Sequence, residues 1–267
     1  MTRQRIILHP GFHKTATSTV QTCLHQNGPH IWPTTALGLG FKFPELLHAA
    51  RGFSTWRDPF TLEKFATRLS AFLTQLDLPP TRKLVMSAEE LAGHMPGRRE
   101  VADYSAMPGL MVRAIEVFEE QYPQGIDLTI ALSTRAPDAW LDSAWAEHVK
   151  SSRMVLELEA FRSRYASAGD LDAVVDTLRS AVDHPVVNWR LEDTRNLPLG
   201  PAEPLIDLID LPSERRAALQ PAPEQNARWP REVLEEMLAL NRSDLDPEAL
   251  KAAKQAVVTR HRQTAPS

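Results

Sequence analysis

Cysteine is all but missing: Cys23 is the only one in 267 residues. An internal disulfide and a cysteine-rich metal cluster are therefore excluded, and the chain suits a reducing compartment. Long hydrophobic runs are missing too. No stretch approaches the roughly 18 uninterrupted apolar residues of a membrane-spanning helix. The N-terminal MTRQRIILHP offers too short an apolar run before His9 and Pro10 to be a signal-peptide core. The expectation is a cytoplasmic protein without a membrane span. An excess of positive charge is also lacking, since 30 Lys and Arg stand against 34 Asp and Glu, for a net charge of -4 and a pI near 6.1. Such a surface has no general attraction to nucleic acid or anionic membrane, so an anion site would have to be built locally. What remains is ordinary: 43% hydrophobic and 24% charged residues exclude disorder, collagen and coiled coil. One domain over residues 1–267 is expected, because a chain of this length buries about three quarters of its surface in a single core.

Four short apolar segments read as strands, at residues 5–9, 83–87, 127–133 and 185–189. The third is apolar almost throughout, as a strand buried on both faces should be. Between them lie helical patterns. Residues 17–24 follow the first strand, and 61–77 carry Leu62, Phe65, Leu69, Phe72, Leu73 and Leu76 at helical spacing. A helix opens at Pro137, the tolerated first-turn position for proline, and another covers 170–182. This alternation predicts an α/β fold of three layers, a central parallel sheet with helices on both faces. Residues 28–60 and 92–124 read as helical or loop inserts, 198–228 as a proline-rich connection, and 229–262 as a helical tail with helices near 231–241 and 247–261.

The segment His9-Pro10-Gly11-Phe12-His13-Lys14-Thr15-Ala16-Thr17-Ser18 joins the first strand to the first helix, where backbone amides and the helix dipole attract anions. Lys14 supplies a mobile positive charge, and Thr15, Thr17 and Ser18 supply hydroxyl donors. The ATPase pattern GxxxxGK[ST] is not met, because His13 precedes Lys14 and Leu8 holds the first glycine position. Taken alone, the same residues also read as a serine/threonine helix cap.

Lys14-Thr15-Ala16-Thr17-Ser18, with His13 before it and Val20-Gln21 after it, resembles the first phosphate-binding loop of the sulfotransferases that use 3′-phosphoadenosine 5′-phosphosulfate (PAPS), in their bacterial and carbohydrate-modifying branch. Ala16 stands where that loop has glycine. A second stretch, Arg135-Ala136-Pro137-Asp138-Ala139-Trp140 with Ser143 eight residues after the arginine, is similar to the family's 3′-phosphate element. The resemblance implies a P-loop-kinase-like fold and an enzyme that moves a sulfuryl group from PAPS to a hydroxyl or amine, releasing 3′-phosphoadenosine 5′-phosphate (PAP) without a metal. It implies that His13, Lys14, Thr15, Ala16, Thr17 and Ser18 hold the 5′-phosphosulfate, that Arg135 and Ser143 hold the 3′-phosphate, and that Lys14 neutralises the leaving oxygen. His9 and His13 are further candidates for sulfate contact. The family's adenine-stacking aromatic is replaced by Thr19, leaving Trp189 or Trp140 as other rings for that task.

Proton removal from the acceptor needs a base, which the resemblance places after the strand at 83–87. Glu89 is the first choice, two residues past that strand, with Glu90 and His94 as rivals. The two glutamates also read as the opening of a solvated helix capped by Ser87. Two further functions stay open on the sequence: a nucleotide kinase working with ATP and Mg²⁺, and a nucleotide-binding module without a base. The acceptor is a small molecule, glycan or lipid, and its site is expected among Trp32, Phe41, Phe43, Phe53, Trp56 and Tyr104 of the two inserts.

Overall fold

The computed structural model describes residues 3–223 and 229–264. Its chain runs β1 (Gln4–His9), α1 (Thr17–Gln26), α2 (Gly28–Ile31), β2 (Thr35–Leu39), α3 (Pro44–Trp56), α4 (Pro59–Leu76) and β3 (Lys83–Ser87). It continues α5 (Met107–Gln121), β4 (Ile126–Thr134), α6 (Pro137–Ser151), α7 (Leu158–Arg164), α8 (Leu171–Ala181) and β5 (Val186–Arg190). After β5 come α9 (Glu203–Ile209), α10 (Ser213–Ala217), α11 (Arg231–Asn241) and α12 (Pro247–Thr264). Residues 224–228 of the proline-rich connection lie outside the described residues.

All strand pairings are parallel, and the order across the sheet is β2-β3-β1-β4-β5. This is the P-loop-kinase-like arrangement that the family resemblance implied. Alternation along each strand divides the core. Ile6, Leu8, Leu84, Met86, Leu128 and Ile130 face one layer, which α3, α4, α5 and α8 complete through residues such as Leu46, Leu69, Leu110 and Val175. Ile7, Val85, Leu37 and Ala131 face the other, against Val20, Cys23 and Leu24 of α1 and Leu205 and Ile206 of α9. Both faces are dry, which is why the strands read as unbroken apolar runs.

Two expectations change in detail. Residues 28–60 contain the edge strand β2, and Gly38 within it lets Met86, Phe72 and Phe43 pack to 3.3–3.4 Å of where a Cβ would be. A five-residue strand whose packing comes from its neighbours' side chains leaves little pattern of its own. Residues 92–124 contain α5, which buries Met107, Leu110, Met111, Ala114 and Phe118 in the core and so forms part of the covering layer.

The sheet order places β1 centrally, with the chain turning to β3 on one side and β4 on the other. In open α/β sheets, the crevice beyond the carboxyl ends of such strands is where ligands bind. The turns after β1, β3 and β4 therefore converge at one edge. The tail braces that region from outside. Lys254 of α12 donates to the carbonyls of Val149 and Ser152 at 2.7 Å each, and Asn241 of α11 donates to Val149 and Met154 at 3.0 and 2.8 Å. These contacts satisfy carbonyls that the end of α6 leaves open.

Candidate functional site

The turn after β1 is folded around its own carbonyls. Phe12 O accepts from the hydroxyls of Thr15 and Thr17 at 2.6 and 3.0 Å, and Thr15 Oγ1 also lies 2.7 Å from Ser133 Oγ on β4. Trp140 Nε1 donates to His13 O at 2.9 Å, and Arg135 Nη1 donates to Lys14 O at 3.0 Å. The loop is thereby tied to α6 and to the end of β4. Ala16 then ends it in the left-handed conformation, φ 69° and ψ 22°, and no side chain caps α1. By contrast, Asp58 and Asp170 cap α4 and α8 by accepting from Thr61 N and Ala173 N at 3.0 Å each. The first amides of α1 thus have neither an intrahelical partner nor a cap, and there is no acid in that turn to compete for them.

Two non-glycine residues of the loop, Lys14 at φ 64° and Ala16 at φ 69°, lie in the left-handed region. A non-glycine residue in the left-handed region costs roughly 1–2 kcal/mol, partly offset in glycine by its freer unfolded chain. Ala16→Gly should therefore raise the unfolding temperature by about 2 °C; a lower midpoint in a thermal melt would contradict the left-handed assignment. Gly11 has φ +116°, and a Cβ there would meet Glu89 Cα and Glu89 O at 3.1 Å. Gly11→Ala should cost about 2 kcal/mol or more in urea unfolding, because neither backbone can give way without moving the turn after β3.

A cavity of about 1000 Å³ opens over this loop. Lys14, Ala16, Thr17 and Ser18 line it from one side, Arg135 and Ser143 from another, and Glu89, Glu90 and His94 from the turn after β3. His13 lines it as well. Burial, reinforced by the positive field of Arg98 and neighbouring groups, pushes its ring down to about 3, so it is neutral. Its Nδ1 lies 3.1 Å from Tyr104 OH.

The charge in the cavity is mixed rather than uniformly basic. Lys14 Nζ pairs with Glu147 at 3.1 Å, and Lys150 pairs with the same carboxylate oxygen at 2.9 Å. Burial alone would raise the Glu147 carboxyl, but the hydrogen bond from Lys150 and the two ammonium charges hold it down to about 2. Arg51 pairs with Glu90 at 3.0 Å and Arg162 with Asp142 at 2.5 Å. Glu89 has the opposite environment. Burial first, then repulsion from Glu90, push its carboxyl up to about 7 against the opposing pull of Lys14. A carboxyl poised near neutrality in a cleft is a candidate proton acceptor. His94 is pushed down to about 4 by burial and by Arg51 and Arg98.

The structure brings His13, Lys14, Ala16, Thr17, Ser18, Arg135, Ser143 and Glu89 to one cavity. It does not bring the Thr15 side chain there: that residue is fully buried and its hydroxyl is spent on Phe12 O. His9 is also elsewhere, buried in the sheet 2.8 Å from Ser87 Oγ and stacked on Trp189. Trp140 is fully buried under the loop, so neither expected ring reaches the cavity. Trp229 lines it instead. Ser87 does not cap the turn Glu89–Ala92, whose cap position is Ala88.

Glu147, Lys150, Arg51 and Arg98 also line the cavity and were not expected. The first two had a signal: Asp138, Asp142, Ser143, Ala146, Glu147 and Lys150 form a stripe at three- and four-residue spacing on α6. Trp140, Leu141, Ala144, Trp145 and His148 form its buried opposite face. Arg98 lies in an irregular segment with no periodicity to read.

Among the described residues, no group of three or more His, Cys, Asp or Glu could hold a metal ion, and no described helix is long and apolar enough to cross a membrane. No family model matches the chain, and no curated protein sequence matches it. Among solved structures it is similar to a sulfotransferase from Alicyclobacillus acidocaldarius, at 15% identity over 100% of this chain and 98% of that one, with a TM-score of 0.45. No property of the site follows from that likeness.

Proposed function

We propose that the protein is a sulfotransferase that takes PAPS as donor, transfers its sulfuryl group to a hydroxyl of an acceptor, and releases PAP. The observation that carries this reading is the convergence of Lys14 and the uncapped start of α1 with Arg135 and Ser143 on one cavity of about 1000 Å³, with Glu89 on its wall. Two anion-holding elements at separate points of one cleft suit a ligand with phosphates at both ends. The size falls within the range of pockets for extended ligands, and Trp229 offers a ring for the base.

Bound there, the donor supplies a sulfuryl group on a phosphate leaving group. The α1 amides, Thr17 and Ser18 hold the 5′ end, and Arg135 and Ser143 hold the 3′-phosphate. Glu89 takes the acceptor proton as the acceptor oxygen bonds to sulfur. The bond from sulfur to the bridging phosphate oxygen breaks, and Lys14 faces the charge left on that oxygen. The protein's contribution is positioning and electrostatics. Glu90, Asp142 and Glu147 on the cavity wall are each paired with cations.

Thermal unfolding with added nucleotide tests the reading. PAP at about a hundred times its dissociation constant, with EDTA present, should raise the midpoint by roughly 5–10 °C. Stabilisation by ATP with Mg²⁺ but not by PAP would favour a kinase. PAP binding with no transfer to any acceptor would mark a binding module.

A further inference from the structure

The base candidate lies on a boundary. A second, smaller cavity of about 310 Å³ adjoins the first, and Ser18, Arg51, Glu89 and Glu90 line both. A base must reach the acceptor's hydroxyl, and that same oxygen must reach the donor's sulfur, so the acceptor belongs in a space that borders the donor cavity and shares Glu89 with it. We infer that this smaller cavity, floored by Phe41, is the acceptor site, and that it takes a neutral six-membered ring bearing a hydroxyl. The inference rests on the sulfotransferase reading above and narrows its acceptor.

Three features set the chemistry. The volume equals that of about ten waters at ~30 Å³ each, room for one ring and its substituents. Phe41 is 65% exposed, and His25 holds it edge-on with centroids 5.8 Å apart. Phe41 lines the cavity together with the apolar Pro44 and Leu47 and with Gln21, whose amide can hydrogen-bond. A flat ring lying on Phe41 buries apolar surface at little entropic cost. The third feature is charge. Arg51 pairs with Glu90 at 3.0 Å, and Glu89 gives the lining of this cavity a second carboxylate against its one arginine. An acceptor carrying a carboxylate or sulfate would be repelled, whereas a neutral ring alcohol would not.

The test uses the full protein saturated with PAP and two matched probe pairs: 4-hydroxybenzyl alcohol against 4-hydroxybenzoate, and methyl β-glucopyranoside against methyl β-glucuronide. Binding is read by ligand-observed NMR. At least one neutral probe should bind, its anionic twin about ten-fold more weakly, and Phe41→Ala should weaken the neutral probe about ten-fold while PAP affinity by thermal titration holds. Which pair binds tells an aromatic from a pyranose ring. The inference is overturned if no neutral probe binds at about 10 mM, if the anionic twin binds equally well, or if Phe41→Ala leaves probe binding intact. It is also overturned if Phe41→Ala abolishes PAP binding, which would make the groove part of the donor site. Failure of the wild-type protein to bind PAP would instead strike the donor reading itself.

Discussion

Glu89→Gln will lower turnover by about 10³-fold, within the range that a positioned general base supplies, and will leave PAP affinity unchanged. The expected pH behaviour is equally specific. With the carboxyl held near 7, the wild-type rate rises with pH through neutrality and levels above it; the glutamine variant loses that limb. Stability moves the other way. An acid whose proton is held more tightly in the folded state than in the unfolded one stabilises the fold fully only below its unfolded value, about 4.5, and loses that contribution as pH climbs to about 7. Glutamine has no such loss, so the variant should be more stable than wild type by roughly 2 kcal/mol at pH 8 and no more stable below pH 4.5. Urea melts at the two pH values check the sign. Turnover that survives with its pH limb intact would move the proton acceptor to Glu90 or His94.

Arg135→Ala should weaken PAP by about 30- to 100-fold, the loss of a charge-assisted, two-pronged contact, and should erase any preference for PAP over AMP, which lacks the 3′-phosphate. Arg135→Lys keeps the charge but not the planar fork and should fall between. Titration calorimetry at one ionic strength measures both ligands. A second role is built into the same side chain, since Arg135 also donates to Lys14 O at 3.0 Å. If the alanine variant loses PAP and AMP equally, the arginine acts by bracing the loop rather than by reading the 3′-phosphate.

Much of the scaffold was legible because its strands are buried on both faces and its helices on one. β3 and the helices α4, α8 and α11 fall close to where period and punctuation put them. β2 was not, because Ala36 and Gly38 give it little side chain of its own. The site divides along the same line. Lys14, Glu89 and Arg135 sit at strand ends, where topology alone brings chain segments together. The hydroxyl of Thr15 is turned inward to Phe12 O and Ser133 Oγ, and such local hydrogen bonding leaves no mark in composition or spacing. Glu147 was readable in principle from the polar stripe of α6. Its partnership with Lys14 was not, because the two stand 133 positions apart.

That partnership bears on the proposed anion site. Lys14 does not wait as a bare cation; its ammonium is already shared with Glu147, which keeps Lys150 as its second partner. If Lys14 serves the proposed phosphosulfate site, moving to that anion exchanges one ion pair for another, and Glu147 keeps Lys150. Such an exchange releases few counterions, so affinity at this end of the cleft should fall only gently with added salt, unlike that of an openly basic groove.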